Sequence, residues 1–272
     1  MNRREPSISV NVDVTNPGQF FACCGLLELA DRLWPGAEGW FEGITFCLAG
    51  DFAGSSADQM LATLLHCPEF LPEVTKKSSL GGSTLKLLPF TLTFPSSVLR
   101  IDWWRDETRP PGKGSAETCA RGEFKTWAGN QSPQQIIYDQ LLPAMRRIVE
   151  SSTPNWFSVR VPLSGRFGFD HTAAVEAIDA GWSPDKLELP VATSPAVELL
   201  AMIGLQRFRP ATCKSRFQFA YSTWRDPATA LIAALKASCA LSDTLAQRFT
   251  FGIGTRGDYR FFGAATPAEN IR

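Results

Sequence analysis

Residues 15–36 constrain this chain more than any other stretch. Thr15 or Asn16 can cap a helix, and Pro17 suits its first turn, where no intrahelical N–H bond is lost. Phe20, Cys24, Leu27 and Trp34 then recur at helical spacing, and the residues between them in the first half are also apolar. A helix that is apolar nearly all round cannot lie on a surface and must be deeply buried. Polar Glu28, Asp31 and Arg32 group on one side further along, with Glu28 and Arg32 at i,i+4 spacing, and Pro35-Gly36 stops the helix.

Covering such a helix takes layers on several sides. At 272 residues, 44% hydrophobic and 20% charged, the chain suits one large domain or two small ones and is neither disordered nor collagen-like. A fold of this size hides roughly 70–75% of its unfolded surface, so no metal or disulfide staple is required. The seven cysteines (Cys23, Cys24, Cys47, Cys67, Cys119, Cys213, Cys239) form no C-x-x-C, and only His66 and His171 could join them. They read as free thiols used as small core residues, with no metal and no cofactor. No run approaches a membrane span, and Arg3, Arg4 and Glu5 leave no secretory apolar segment, which predicts a cytoplasmic protein with no membrane partner.

The alternation in 8–14 predicts a strand ahead of the first helix, and 41–49 predicts another after it. A short helix is expected from Ser56 or Asp58 to Leu65, and a flexible loop over 76–83. Strands are expected at 85–94 and 98–104, with Pro89 setting the first near an edge or bulge. Ser132-Pro133 and Ser194-Pro195 begin helices, the first amphipathic through Ile136, Ile137, Leu141, Met145 and Ile148. Further expectations are a strand over 157–163, a helix from about Thr172, a strand over 216–224, an alanine-rich helix over 227–240 and a closing hairpin from 248 to 263. This order gives an α+β fold with mixed or antiparallel sheets and packed helices. A boundary near 151–155 would divide it into an N-terminal region, 1–150, and a C-terminal region, 151–272.

The 27 basic and 27 acidic residues sum to zero but are unevenly spread: residues 1–73 carry a net charge of −7 and residues 207–260 a net charge of +6. A neutral total therefore does not exclude a polyanion, although the acidic and basic ends can also neutralise each other within the fold. Two clusters suit nucleic acid. Asp102-Trp103-Trp104-Arg105 and Phe124-Lys125-Thr126-Trp127 flank a glycine-containing loop with Arg109, Lys113 and Arg121. Exposed Trp103, Trp104 and Trp127 would stack bases while Arg105 and Lys125 meet phosphates; buried, they would be core. The second cluster is the cationic run Arg207, Arg209, Lys214, Arg216 and Arg225, interleaved with Phe208, Phe217, Phe219, Tyr221 and Trp224. A strand here would present Arg216 on the face opposite Phe217 and Phe219.

Gly252-Ile253-Gly254-Thr255-Arg256-Gly257 lies between two strands, where backbone N–H groups and Arg256 can approach a phosphate. It precedes no helix and is not a dinucleotide fingerprint. His171 beside Asp170 is the one candidate general base. Asp102, Asp106, Glu107 and Lys125 are too loosely spaced for a metal nuclease cluster, and neither G-x-S-x-G nor H-E-x-x-H occurs.

Five blocks carry a resemblance: Thr15 to Leu33 (TNPGQFFACCGLLELADRL), Asp102-Trp103-Trp104, Phe124 to Gly129 (FKTWAG), Gly165 to Asp170 (GRFGFD) and Ala201 to Pro210 (AMIGLQRFRP). Together they resemble a small CRISPR-associated protein of type I-U (also called I-G) systems, the third of that subtype's b-series subunits. The resemblance implies membership of an RNA-guided surveillance complex. Such complexes combine ferredoxin-like, RNA-recognition-type backbone subunits with a subunit that reads the motif flanking the target. The strand–helix–strand opening suits the first type, and the helix-rich middle suits a reduced form of the second. The turn near Gly252 is similar to the glycine-rich loop of the backbone subunits but departs from its spacing.

The expectation is a non-catalytic subunit that binds guide RNA and/or target DNA through the backbone and contacts other effector subunits, with base pairing doing the reading. Its nucleic-acid residues would be Trp103, Trp104, Arg105, Lys125, Trp127, Arg207, Arg209, Lys214, Arg216 and Arg256. The alternatives are an endoribonuclease that trims guide RNA with His171 as acid or base, and a protein-only scaffold.

Overall fold

Asn16 caps the first helix with its own side chain. In the computed structural model its Oδ1 accepts from the N–H of Gly18 (3.0 Å) and Gln19 (3.4 Å), and α1 runs Pro17–Leu33. The structure describes residues 5–52, 62, 70–72, 89–94, 97–106, 108, 120–127, 131–151, 155–173, 190–241, 245–256 and 259–268. The predicted helix at 56–65 (Ala62 apart), the loop at 76–83, residues 109–119 with Arg109 and Lys113, and the helix predicted beyond 173 lie outside the described residues.

β1 (Ile8–Asn11) precedes α1, and β2 (Glu38–Glu42) and β3 (Thr45–Ala49) follow it. The single strand predicted over 41–49 is therefore a hairpin. Glu42 pairs with Thr45 across a two-residue turn whose first residue, Gly43, has φ +59°, a conformation that glycine adopts without steric cost. The sheet order is β1-β3-β2-β13, with the short β13 (Ala228–Thr229) pairing to β2. β1-α1-β2-β3 is thus a split β-α-β unit, as in the first half of a ferredoxin-like fold. The fourth strand stands beside β2, whereas a ferredoxin-like sheet would close beside β1.

β4 (Phe70–Pro72), β5 (Phe90–Thr93) and β6 (Val98–Ile101) form a three-stranded sheet, and β7 (Arg105–Asp106) pairs with β8 (Ala120–Arg121). α2 occupies 133–150. Ser132 and Gln135 make a reciprocal capping box, and a π turn at Ile136–Leu141 precedes the α-helical Leu142–Glu150. Pro143 lacks the N–H that an unbroken α-helix would use, and the widened turn ends just ahead of it. β9 (Val161–Leu163) pairs with β10 (Val191–Thr193), and Ser194 then caps α3 (Pro195–Arg207). β11 (Ala211–Thr212), β12 (Gln218–Ser222), β14 (Arg248–Arg256), β15 (Tyr259–Phe262) and β16 (Thr266–Pro267) form the five-stranded sheet, with α4 (Ala230–Ala237) between β13 and β14. Among the described residues every strand pairing is antiparallel. The fold is α+β.

α1 packs along α3, and both are buried over most of their length. They cross at Gly25 and Gly204: a Cβ on Gly25 would stand 2.0 Å from the Leu200 carbonyl oxygen, and one on Gly204 2.1 Å from that of Phe21. Only glycine permits so close an approach of two backbones. Phe20, Phe21, Tyr221, Phe251 and Phe262 pack around this crossing at 4.2–6.2 Å between ring centroids. One core therefore joins elements from both sides of residue 151, and the two regions expected to meet there do not have separate interiors.

Candidate nucleic-acid interface

The tryptophans predicted to stack bases form the core instead. Trp103, Trp104 and Trp127 are 1%, 0% and 0% exposed and meet edge to face, with centroids 5.1–5.9 Å apart. Trp103 Nε1 donates to the Met202 carbonyl in α3 (2.9 Å). A base needs an open ring face, and none of these three offers one. Lys125 is half-buried and turned onto this core: its Nζ donates to the Trp127 carbonyl and lies 4.9 Å over the indole.

The cationic run also divides. Arg207 turns inward, with Nε 2.6 Å from Glu28 Oε2, Nη2 donating to Glu28 Oε1 (3.2 Å) and Nη1 to Asp31 Oδ2 (3.3 Å). Glu28 is wholly buried and also accepts from Arg32 Nε at 2.7 Å. Burying a carboxylate demands such partners, so Arg207 is held by α1 and not by a ligand. Arg209 donates to the Trp103 carbonyl (3.3 Å) and stands 3.9 Å from Asp102. Part of the acidic N-terminal and basic C-terminal charge is therefore neutralised within the fold. Arg105 is half-buried and faces Arg121 across β7–β8. Arg256 ends β14 opposite Tyr259.

What the run leaves at the surface is the connection between β11 and β12. Lys214 is exposed, and the Arg216 side chain is 69% exposed. The Arg216 guanidinium lies 4.7 Å from the centroid of Phe217, and the Arg260 guanidinium lies 4.9 Å from the same centroid. Arg216 Nε is 3.7 Å from Glu123 Oε1, two residues along from exposed Arg121, and the Arg260 N–H donates to the Thr126 carbonyl (3.0 Å). The 120–126 segment predicted to flank a nucleic-acid loop therefore borders this surface with its backbone and charges, while its indole is turned away. Sequence reasoning missed Arg260. Its only signal was a cation between two aromatic residues in Tyr259-Arg260-Phe261, within the strand predicted to close the chain.

Phe217 itself is unusual. Its φ is +62°, a left-handed conformation that bulky residues rarely adopt. Local bonds hold it there: its carbonyl accepts from Ile253 N–H (2.9 Å), and Gln218 N–H donates to Ser215 (3.2 Å).

A buried carboxylate lies behind β15. Glu198, in the first turn of α3, accepts from four consecutive N–H groups, Phe167 (2.7 Å), Gly168 (2.9 Å), Phe169 (2.9 Å) and Asp170 (3.0 Å). Burial pushes its carboxyl up to about 7, with Asp170 adding to the rise and the N–H donors and Arg166 opposing it. The loop so fastened accepts from Phe262 N–H at the Gly168 carbonyl (2.9 Å), which steadies the strand that carries Arg260. Buried Asp170 joins both helix starts, accepting from Asn16 Nδ2 (3.0 Å) and Ser194 N–H (3.3 Å). Its carboxylate takes these bonds and those of Thr172, and does not bond the His171 ring. Burial lowers the His171 pKa, against the pull of Asp170 and Asp13.

A second surface is apolar. Leu231, Ile232 and Leu235 on α4 are exposed, as are Leu241 and Leu245 just after it, with Leu231 and Leu245 at 64% and 62%. Among the described residues, no group of three His, Cys, Asp or Glu side chains is arranged to hold a metal ion, and no helix is long and apolar enough to cross a membrane. No protein-family profile, curated protein or solved structure matches this chain.

Proposed function

We propose that this chain is a non-catalytic subunit of a type I CRISPR RNA-guided surveillance complex, and that it binds the backbone of guide RNA and/or target DNA. The observation that carries the reading is the pair of guanidinium groups, Arg216 and Arg260, on the Phe217 ring, with exposed Lys214 two residues before Arg216 in the chain. Guanidinium and ammonium groups on an open surface attract phosphates without regard to sequence, which suits a subunit in a complex where base pairing does the reading. The sequence blocks that resemble the I-U (I-G) subunit supply the cellular context. Their role in this fold is internal: the GRFGFD block wraps Glu198, and the AMIGLQRF block lines the α1–α3 crossing.

The exposed aliphatic face of α4 supports the assembly half of the reading. A soluble chain seldom leaves five large aliphatic side chains open within fifteen residues unless another protein covers them. The same face also favours the second reading, a protein-only scaffold.

Co-expression with the other subunits of such a system, followed by purification and sequencing of bound nucleic acid, tests both. The expected result is repeat-derived RNA of guide length that is lost when Lys214, Arg216 and Arg260 are replaced together. An assembled complex whose RNA content ignores that replacement would leave the scaffold reading standing.

A further inference from the structure

We propose that Arg216 and Arg260 form a clamp for two consecutive phosphates of one nucleic-acid strand, with the ring of Phe217 as the platform that sets their separation. The inference rests on the nucleic-acid reading above and names the chemistry of its contact.

Three observations carry it. First, two guanidinium groups from separate elements, the β11–β12 connection and β15, converge on one phenyl ring at 4.7 and 4.9 Å from its centroid. Their charges can be no further apart than the sum of those distances. Like charges held this close repel, and the attraction of each to the ring quadrupole opposes that repulsion. Second, the residue that supplies the ring sits at φ +62°, where glycine would fit with less strain. Strained conformations persist where the surroundings over-determine them, and they cluster at functional sites. A glycine would relieve the backbone but remove the platform. Third, neither guanidinium is committed to a close carboxylate. Arg216 Nε is 3.7 Å from Glu123, beyond hydrogen-bonding distance, and among the described residues no carboxylate pairs with Arg260. Each keeps a planar fork of donors that matches a phosphate in the bidentate manner. Exposed Lys214, two residues before Arg216, adds a cation beside the pair.

A single small anion would need only one fork. Two forks brought to one ring from separate elements suit two anions joined at a fixed spacing, which is the chemistry of consecutive phosphodiesters. RNA and DNA share that chemistry.

The test is fluorescence anisotropy of the full chain with a short labelled oligouridylate and a short labelled oligothymidylate over a range of salt. Arg216→Ala and Arg260→Ala should each reduce the slope of log K against log salt by about 0.7, one phosphate on a single strand, with both oligonucleotides. Phe217→Leu keeps an apolar side chain and both charges but removes the ring face. It should weaken binding about threefold or more, and Arg260→Ala made on top of it should then cost much less than it does alone. Should Phe217→Leu fail to fold, Arg260→Lys replaces it, keeping the charge and slope but losing affinity through the missing fork. The clamp is overturned if the wild-type chain binds but neither arginine substitution changes the slope, or if the costs of Phe217→Leu and Arg260→Ala simply multiply. Wild-type protein that binds neither oligonucleotide would instead overturn the nucleic-acid reading itself.

Discussion

Gly25 and Gly204 face each other where α1 crosses α3, so closely that a Cβ on Gly204 would stand 2.7 Å from the Gly25 backbone nitrogen. The two helices are therefore packed backbone to backbone, and no side-chain adjustment can make room. Gly25→Ala or Gly204→Ala should force the helices apart and destabilise the fold by about 3 kcal/mol, at the upper end for overpacking. Urea denaturation followed by circular dichroism would measure it. A loss below about 0.5 kcal/mol would mean that the crossing is looser than described.

Arg207 and Lys214 should separate stability from binding. Arg207→Ala leaves the buried Glu28 carboxylate without its bidentate partner, and about 3 kcal/mol of stability should be lost, as in other broken buried pairs. Lys214→Ala touches nothing buried and should stay within about 0.5 kcal/mol of the parent. The order reverses for nucleic-acid affinity, where the folded Arg207 variant should match the parent and the Lys214 variant should be weaker. Melting curves and anisotropy on the same preparations check both halves.

Glu198 should make stability depend on pH in an uncommon direction for a carboxylate. Its folded-state value of about 7 lies above the ordinary 4.5. Between those two values the folded chain holds the proton and the unfolded chain has released it, so this contribution is complete below pH 4.5 and is lost as pH rises through 7. The difference amounts to about 3 kcal/mol. Denaturation below and above this window, compared with Glu198→Gln, isolates it. The variant should lack this fall and be less stable at low pH, because its amide nitrogen meets backbone donors that the carboxyl group accepts from.

Leu231→Gln together with Leu235→Gln should leave the isolated chain as stable as the parent to within about 0.5 kcal/mol, since both side chains are already in water. If the proposed complex forms, the same pair should abolish co-purification with its other subunits. Retained assembly would move the protein interface away from α4.

His171 tests the hydrolytic alternative. Burial lowers the pKa of its ring, and Asp170 spends its carboxylate on the starts of α1 and α3 rather than on orienting the imidazole. Labelled repeat RNA should remain intact with both the parent and the His171→Ala protein. Cleavage by the parent that His171→Ala abolishes would restore the nuclease reading.

Helix starts were legible because capping is local chemistry. Asn16-Pro17, Ser132-Pro133 and Ser194-Pro195 each begin a helix where the dipeptide says so. The buried character of α1 was equally plain, since its first half offers no polar face. The hairpin at Gly43 was missed because apolar residues on both sides of the glycine read as one strand. The tryptophans misled for a different reason: an indole beside a cation looks the same in sequence whether the ring is open or covered, and what covers Trp103 is α3, far along the chain. Arg207 could not be sorted from Arg216 by pattern, because Glu28 claims one of them from another helix. Arg260 was invisible until Phe217 brought two distant arginines to one ring.

The α1–α3 crossing also bears on how the chain is made. Helix α1, apolar on nearly every side, leaves the ribosome well before its partner α3, which begins only at Pro195. At ordinary synthesis rates of ~5–20 residues per second, that interval is roughly 9–35 s. Throughout it the hairpin of β2 and β3 can cover part of the Phe20–Leu29 stretch, as Phe41 does on Phe20, but the face that meets α3 stays bare. The same long-range pairings give the finished fold a high contact order, so it should form slowly on its own. Nascent chains stalled before residue 195 should therefore be held by chaperones, and release should coincide with the appearance of α3.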